Sequence, residues 1–133
     1  MRIINTFDKI QNCFTNNMFN LDSWRKYTKE FSCELSKKCE QDAKEYDFNK
    51  VIFPVVNNVL LNKEAALRTN TSFISVTNQL NSNINKLFKN DIDLDIILYL
   101  GLCNGAGWAT ALDGRNTILL GIEKIIELDW QNE

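Results

Sequence analysis

Glycine is the residue type that first suggests chemistry in this sequence, because Gly101, Gly105 and Gly107 lie within one short segment. Their spacing, G-x-x-x-G-x-G, matches neither the dinucleotide-binding pattern nor the phosphate-binding loop pattern. No lysine follows within the segment to hold a phosphate, and the next residues favour a strand rather than a helix. A nucleotide-binding enzyme would need these glycines to hold phosphate. We interpret them instead as a bulge or a tight corner between strands.

Acidic residues form a second group, in which Asp91, Asp93 and Asp95 are spaced two residues apart on one face of a predicted strand. The spacing is similar to that of a calcium-binding loop, but the glycine and the final glutamate of such a loop are missing. We therefore predict a solvated beginning of a strand. Glu123 follows Gly121 where a predicted strand passes into a helix. It is either a first-turn glutamate that complements the helix dipole or a carboxylate that faces a cleft.

The chain contains no histidine, which is the commonest metal ligand and the usual proton shuttle near neutral pH. Ser-His-Asp catalysis, Cys-His catalysis and the ordinary catalytic zinc sites are therefore excluded within this chain. The cysteines include no C-x-x-C pair, so the sequence favours neither a zinc ribbon nor a thioredoxin-like site. We predict reduced, structural thiols at Cys13, Cys33, Cys39 and Cys103. No catalytic residue and no metal ligand is predicted.

Charge and hydropathy exclude further classes of function. The 133 residues carry a formal net charge of −2, which gives no electrostatic reason to expect nucleic acid or an anionic membrane as a partner. No targeting segment is visible at the start, and the longest apolar stretch, Ile96 to Cys103, is too short to span a bilayer. The sequence predicts a cytoplasmic protein that binds neither nucleic acid nor a membrane.

Residues 1–90 show mainly helical periodicity. A short first helix is predicted from the spacing of Ile3, Phe7, Ile10 and Phe14, ending near Asn16-Asn17. A second helix is predicted over residues 21–46, with an apolar face formed by Trp24, Tyr27, Phe31, Leu35, Cys39, Ala43 and Tyr46. A buried helix is predicted within residues 47–62. A long helix follows Asn62, with an expected break near Asn70 or Asn81. Its apolar stripe is Ala66, Phe73, Val76, Leu80, Ile84, Leu87 and Phe88.

Residues 91–133 change to a two-residue period and then end in a helical pattern. Strands are predicted from Leu94 to Leu102, from Trp108 to Leu112 and from Thr117 to Ile122, followed by a short helix from Glu123 to Leu128. Asp113-Gly114 is a strong signal for a two-residue hairpin turn. We predict a single α+β domain over residues 1–133. Its N-terminal helices should pack on a small, mostly antiparallel sheet formed by the last third of the chain.

The run YLGLCNGAGWATALDGRNTILLGIEKIIELDW resembles a segment of bacterial predicted zinc-dependent peptidases of the HExxH, gluzincin-like type. In that family a helical part with a W-x-x-Y element leads into a G-x-x-N-x-A-G-W-x-T strand region. An L-L-G-x-E-K-I-x-E-L-x-W stretch then follows. The matching residues are Trp24 and Tyr27, then Gly101, Asn104, Ala106, Gly107, Trp108 and Thr110, and finally Leu119, Leu120, Gly121, Glu123, Lys124, Ile125, Glu127, Leu128 and Trp130.

In this family the HExxH helix is expected shortly after the final tryptophan, where it supplies two zinc ligands and the general base. The present sequence stops at Glu133 without it. The resemblance therefore implies a non-catalytic N-terminal fragment of such a peptidase, inactive by itself. No cofactor is expected in this chain, and zinc is expected only in a longer family member. The expected partner is a peptide substrate or the missing C-terminal catalytic segment.

The resemblance also implies a substrate-facing wall, because in zincin-type folds an extended substrate pairs with an edge strand above the zinc helix. The glycine-flanked stretch from Asn104 to Thr110 is the candidate for this wall. The Gly121-Ile122-Glu123 step is similar, with different spacing, to the element by which zinc aminopeptidases hold a substrate amine. The predicted substrate-binding residues are Asn104, Gly105, Gly107, Trp108, Thr110 and Glu123.

The alternative function is a small stand-alone cytoplasmic protein-interaction module without enzymatic activity, whose apolar edge binds a partner chain. The two hypotheses differ in what they expect of the structure. A missing zinc helix should leave an apolar face of the sheet uncovered, or covered by a second copy of the chain in a homodimer. A closed monomer without such a face would favour the stand-alone module.

Overall fold

The structure, a computed structural model, describes residues 1–87 and 92–132. In order, these residues form β1 (Arg2–Asn5), α1 (Phe7–Ile10), β2 (Phe14–Thr15), β3 (Met18–Phe19), α2 (Leu21–Lys29), α3 (Leu35–Ala43), α4 (Phe53–Leu61), α5 (Lys63–Leu87), β4 (Asp95–Tyr99), β5 (Trp108–Leu112), β6 (Arg115–Gly121) and α6 (Ile122–Glu127). Short turns of 3-10 or π helix occupy Gln11–Cys13, Phe48–Ile52 and Trp130–Asn132. The predicted α+β class is confirmed.

The main sheet has four strands in the order β1-β4-β6-β5. Both β1 and β6 pair with β4 in parallel, whereas β5 lies at the edge and pairs with β6 in the antiparallel sense. The sheet predicted to be mostly antiparallel is therefore mixed, and three of its four strands, rather than all of them, come from the last third of the chain. β1 comes from the N-terminus, and its four residues are too few to show a strand period against the helical spacing of Ile3, Phe7 and Ile10.

A small antiparallel hairpin of β2 and β3 lies where the first predicted helix should end. Asn16 and Asn17 have φ angles of 54° and 62°, left-handed values that asparagine adopts more readily than most residues. The pair therefore makes a two-residue turn between strands. The single helix predicted near the N-terminus is replaced by β1, the short helix α1, a 3-10 turn and β2.

The helix predicted over residues 21–46 is divided into α2 and α3 at Ser32. Ser32 Oγ accepts hydrogen bonds from the N–H groups of Glu34 and Leu35, at 3.3 and 3.2 Å. These bonds satisfy amides at the start of α3, which have no partner inside the helix. A polar side chain inside an apolar helical pattern thus ends one helix and begins another.

The helices predicted within residues 47–62 and after Asn62 are confirmed as α4 and α5. α5 runs without interruption through Asn70 and Asn81, so the expected break was wrong. Three features of the prediction lie outside the described residues. These are Phe88 of the apolar stripe, Asp91 of the acidic series and the passage from the helical part to the β part at residues 90–91.

β4 is one of the two inner strands of the main sheet, and all five of its residues are buried. Leu98 lines a groove together with Phe73 of α5, whereas the hydroxyl of Tyr99 lies 3.9 Å from Cys39 Sγ of α3. Helices therefore cover β4 on both faces. Double-sided burial explains why the apolar run around β4 is nearly continuous instead of strictly alternating.

Asp95, at the beginning of β4, is 3% exposed, so the predicted solvated position was wrong for this residue. Its carboxylate accepts hydrogen bonds from Arg2 Nε at 2.8 Å, from Arg2 Nη2 at 2.5 Å and from Arg115 Nε at 2.8 Å. Arg2 begins β1 and Arg115 begins β6, so one carboxylate joins the starts of three adjacent strands. The hydrogen bonds from Arg2, and then those from Arg115, lower the pKa of Asp95 despite its burial.

Asp95→Asn is expected to lower the free energy of unfolding by about 2–4 kcal/mol at pH 7, because it removes charge-assisted hydrogen bonds at a buried position. A carboxylate whose pKa is lower in the folded state stabilises the protein above the unfolded-state pKa. This contribution is lost as the pH falls toward the folded-state pKa. The stability difference between the protein and the variant should therefore narrow between about pH 5 and pH 3.

Urea unfolding across this pH range measures that difference. Asp93→Asn is the matched control, because Asp93 also pairs with Arg115, at 3.2 Å, but its side chain is 74% exposed. The control should change the free energy of unfolding by less than about 1 kcal/mol. A difference for Asp95→Asn that stays constant from pH 7 to pH 3 would contradict the assigned ion pairs.

Candidate functional site

Glu123 holds the segment between β4 and β5, residues 100–107, which we call the β4–β5 connection. Its side chain is enclosed, with 1% of the residue exposed. Oε1 accepts a hydrogen bond from the N–H of Gly101 and Oε2 accepts one from the N–H of Cys103, both at 2.9 Å. One carboxylate thus replaces a neighbouring strand as the acceptor for two amides. The carboxylate of Glu123 therefore does not face a cleft in this structure, in contrast to one of the two interpretations of this residue.

Two glycines make room for this carboxylate. A Cβ atom on Gly101 would lie 2.8 Å from Glu123 Oε2. A Cβ atom on Gly121 would lie 3.0 Å from Glu123 Oε1 and 2.5 Å from the carbonyl oxygen of Gly105. Close approach of a carboxylate and of backbone therefore requires glycine at both positions. Burial raises the pKa of Glu123, while the N–H groups of Gly101 and Cys103 act in the opposite direction.

Leu100, the first residue of the connection, is held by two side chains of α2. Trp24 Nε1 donates a hydrogen bond to the carbonyl oxygen of Leu100 at 2.7 Å, and the N–H of Leu100 donates to the Tyr27 hydroxyl at 2.9 Å. The Tyr27 hydroxyl also lies 2.5 Å from Thr6 Oγ1, which donates to the carbonyl oxygen of Leu98 at 2.7 Å. Trp24 and Tyr27 are both buried. Residues three apart on one helix therefore fix both backbone polar groups of Leu100.

Asn104 completes the set of side chains that hold the connection. Its Oδ1 accepts a hydrogen bond from the N–H of Leu102 at 3.0 Å, and its Nδ2 donates to the carbonyl oxygen of Cys39 at 3.0 Å. Together with Tyr27 and Glu123, it accepts hydrogen bonds from the N–H groups of four successive residues, 100–103. Residues 100–103 are therefore fixed by side chains from α2, α6 and the connection itself, and further along, the carbonyl oxygen of Ala106 accepts a hydrogen bond from the N–H of Gly121 in β6 at 3.2 Å.

The predicted hairpin turn between β5 and β6 is confirmed. Asp113 and Gly114 have φ angles of 51° and 77°, which are the left-handed values of a type I′ turn. Leu112 and Arg115 face each other on either side of this turn. Asp113 Oδ2 accepts a hydrogen bond from Ser32 Oγ at 2.6 Å, so the tip of the hairpin is tied to the passage between α2 and α3.

β5 offers one open edge of the main sheet. In a two-residue hairpin the residues that flank the turn form a hydrogen-bonded pair, and such pairs recur at every second residue. The backbone groups of Ala109 and Ala111 therefore point away from β6, and both residues are exposed. Trp108 is half-buried, and its Nε1 donates to the Tyr99 hydroxyl at 2.9 Å. At Ala109 and Ala111 the edge thus presents backbone and methyl groups, and the ammonium group of Lys38 lies 3.5 Å from Thr110 Oγ1.

The predicted substrate-binding residues occupy two different places. Five of them lie in one continuous stretch of the connection and β5, namely Asn104, Gly105, Gly107, Trp108 and Thr110. Glu123 lies behind this stretch, in the interior. The polar side-chain atoms of Asn104, Trp108 and Glu123 bond within the protein. A bound peptide would therefore meet the backbone of β5 first, and substrate binding by these residues stays a prediction.

Periodicity alone missed the polar roles of Trp24 and Tyr27, because it places them on an apolar helix face. The W-x-x-Y element of the peptidase resemblance was the signal that singled them out. The roles of Asp95 and Ser32 had no comparable signal in the sequence.

Three of the four thiols are wholly or partly buried, whereas Cys33 is exposed. All four cysteines are free. Burial raises the pKa of Cys103 to about 12 and also raises the pKa values of Cys13 and Cys39. These three thiols are therefore protonated at neutral pH. Within residues 1–87 and 92–132, no group of three or more cysteine, aspartate or glutamate side chains could hold a metal ion. The part of the chain that the structure describes also contains no helix long and apolar enough to cross a membrane.

An apolar groove of about 300 Å³ opens between α5, the sheet and α6. Its lining residues are Thr69, Ser72, Phe73, Val76, Thr77, Leu98, Leu120, Ile125, Trp130 and Gln131, none of which is ionisable. On the same face of the sheet, Ala109 and Ala111 are exposed and Leu120 is only half-buried. α5 packs toward β1, where Asn5 Nδ2 donates to Asn70 Oδ1 at 2.6 Å. The β6–β5 side of this face is therefore left uncovered by the described residues.

Comparisons with known proteins do not identify the chain, since no family model, curated protein or solved structure matches it. The resemblance to zinc-dependent peptidases has no support from these comparisons and stays a prediction.

Proposed function

We propose that this chain is the non-catalytic N-terminal portion of a zinc-dependent peptidase, which provides the substrate-facing strand but not the metal site. One observation carries the proposal. Residues from the W-x-x-Y element and from the later glycine-rich part of the peptidase pattern meet at the β4–β5 connection. Trp24, from the first part, donates a hydrogen bond to the carbonyl oxygen of Leu100. Glu123, from the second part, accepts hydrogen bonds from the N–H groups of Gly101 and Cys103. The pattern thus corresponds to one structural unit that fixes the position of β5.

The edge of β5 is the part of this unit that would meet a substrate. Outward-pointing backbone groups at Ala109 and Ala111 can pair with an extended peptide by β-strand addition. The side chains there are small and uncharged, so the strand would bind main chain and leave selectivity for particular side chains to other parts of a complete site. This arrangement supports the predicted role of Asn104–Thr110 as a wall.

Hydrolysis would require groups that this chain does not contain. HExxH supplies two histidine ligands for zinc and a glutamate as general base, and the sequence has no histidine. The isolated chain is therefore expected to be inactive, and a longer protein that carries the zinc helix is expected to be active.

The gene sequence beyond codon 133 provides the first test. We expect a segment encoding HExxH shortly downstream, in the same or another frame, and its absence from every frame would remove the main support for the peptidase proposal. If the segment is present, the extended protein should bind zinc and hydrolyse unfolded casein. The 133-residue chain should do neither. An extended protein with both histidines replaced by alanine is the matched control.

A second candidate function is a stand-alone protein-interaction module, which is favoured by the absence of ionisable residues in the lining of the apolar groove. This function predicts saturable binding of a protein partner by the chain alone. A pull-down that captures no partner would count against it. Both proposals place the chain in the cytoplasm, a location supported by its free cysteines, which persist in reducing compartments.

A further inference from the structure

α5 continues beyond the body on which it packs. Its last buried residue is Thr77, and none of residues 78–87 is buried. At 1.5 Å per residue, this end of the helix is about 15 Å long. The apolar stripe nevertheless continues along it, with Val76 62%, Leu80 38% and Leu87 77% exposed. Because these residues recur every three or four positions, they point in the same direction as the buried Phe73.

This stripe lies in a segment of unusual charge. No residue from Thr69 to Asn85 is ionisable, although most of this segment is exposed. Exposed helix faces in soluble proteins normally carry charged residues. A surface without charge does not repel an identical surface. An interface between two copies therefore meets no electrostatic barrier here.

The spacing of the apolar residues along the stripe is the same when it is read from either end. Phe73, Val76, Leu80, Ile84 and Leu87 are separated by steps of three, four, four and three residues. We propose that α5 pairs antiparallel with α5 of a second copy, with the two-fold axis at Leu80. Such an axis places Leu80 against its own copy, Val76 against Ile84 of the second copy and Phe73 against Leu87 of the second copy.

The groove gives this arrangement a second anchor. Phe73 and Val76 of α5 line the groove together with Trp130, which is 47% exposed. Leu87 of the second copy would enter there, and Leu87 of the first copy would enter the other groove. The overlap of residues 73–87 is about 21 Å long, and it would remove the exposed side chains of Val76, Leu80 and Leu87 from solvent in both copies. The pairing needs no feature of the peptidase proposal.

Sedimentation of the purified chain over a range of concentrations tests the pairing. We expect a mass of twice 15.4 kDa at about 100 µM and dissociation on dilution. Leu80→Glu places two like charges at the axis and should give a monomer at the same concentration. Leu67→Glu is the matched control, because Leu67 is 57% exposed on α5 but outside the stripe, and this variant should remain dimeric.

A charge swap tests the register. Val76→Glu and Ile84→Lys should each weaken the dimer at least about tenfold, and the double variant should recover it because each new glutamate then faces a new lysine. Circular dichroism must show the same helix content in every variant. A chain that is monomeric at about 100 µM would overturn the proposal and leave the groove for a different segment, such as a zinc helix. A dimer that survives Leu80→Glu, or a double variant that stays monomeric, would overturn it as well.

Discussion

Glu123→Ala is expected to lower the free energy of unfolding by about 3–5 kcal/mol, because it leaves the buried N–H group of Gly101 and the partly buried N–H group of Cys103 without an acceptor. Each unsatisfied donor costs about 1–3 kcal/mol, and the missing side chain leaves a space between α6 and the β4–β5 connection. The loss is large compared with the total stability of about 5–15 kcal/mol that is usual for a domain. The variant should therefore unfold at a much lower urea concentration.

Glu123→Gln separates the charge from the shape of this side chain. Its amide oxygen can accept one of the two N–H groups, but its NH₂ group then faces the other donor, so we expect a loss of about 2–3 kcal/mol. Hydrogen exchange should show where the change occurs. The amides of Gly101 and Cys103 are expected to be protected in the protein and to exchange rapidly in both variants.

Glu127→Ala is the control for the same helix. Glu127 is exposed, and its carboxylate pairs with Lys124 on the surface, so its removal should change the free energy of unfolding by less than about 0.5 kcal/mol. If Glu123→Ala were no more destabilising than this control, Glu123 would not be the residue that holds the connection. The buried carboxylate would then need another role, for which substrate contact after a movement of the connection is the remaining hypothesis.

The elements that were predicted correctly depend on local chemistry. Asp113-Gly114 predicts its turn because a type I′ turn needs positive φ angles, which these residues adopt readily. The helical spacing around Val56 and Val59 predicts α4 because a 3.6-residue period places these residues on one buried face. In both cases the backbone conformation can be predicted from a few residues that are neighbours in the sequence.

The features that were missed depend on distant partners. Arg2 and Asp95 are 93 residues apart in the chain, and β1 becomes a strand only because β4 is available for parallel pairing. Periodicity also shows that Trp24 lies on an apolar face, but not that its indole nitrogen meets the carbonyl of Leu100. Patterns in a sequence identify buried faces, whereas the pairing of polar atoms across the core follows from the topology.

The polar contacts of the candidate site also depend on the topology. Sequence reasoning selected Asn104, Trp108 and Glu123 for contact with a substrate, and the structure uses the polar side-chain atoms of all three inside the protein. A carboxylate next to glycines is equally suited to contact with a substrate and to hydrogen bonds with backbone amides of its own chain. Only the position of the β4–β5 connection decides that this carboxylate faces backbone amides instead of solvent.

Trp24→Ala is expected to be the most destabilising single substitution in α2, with a loss of about 4–6 kcal/mol in the free energy of unfolding. Trp24 is fully buried, and truncation of a buried tryptophan costs about 3–5 kcal/mol through lost burial and a cavity. The carbonyl of Leu100 would also lose the indole donor that lies at 2.7 Å, which adds about 1 kcal/mol or more. This loss approaches the whole stability of a domain, so we expect the variant to lose its cooperative urea transition.

Trp24→Phe keeps most of the volume and removes the donor, so we expect a smaller loss of about 2 kcal/mol. Tyr27→Phe removes the acceptor for the N–H of Leu100 in the same way. Because both side chains act on one residue, the two losses should not add in the double variant, and urea unfolding of the parent protein, the two single variants and the double variant measures this coupling. Trp130→Ala, at a tryptophan that is 47% exposed, should cost much less than Trp24→Ala. Additive losses would mean that Leu100 is not the shared point at which α2 holds the end of β4.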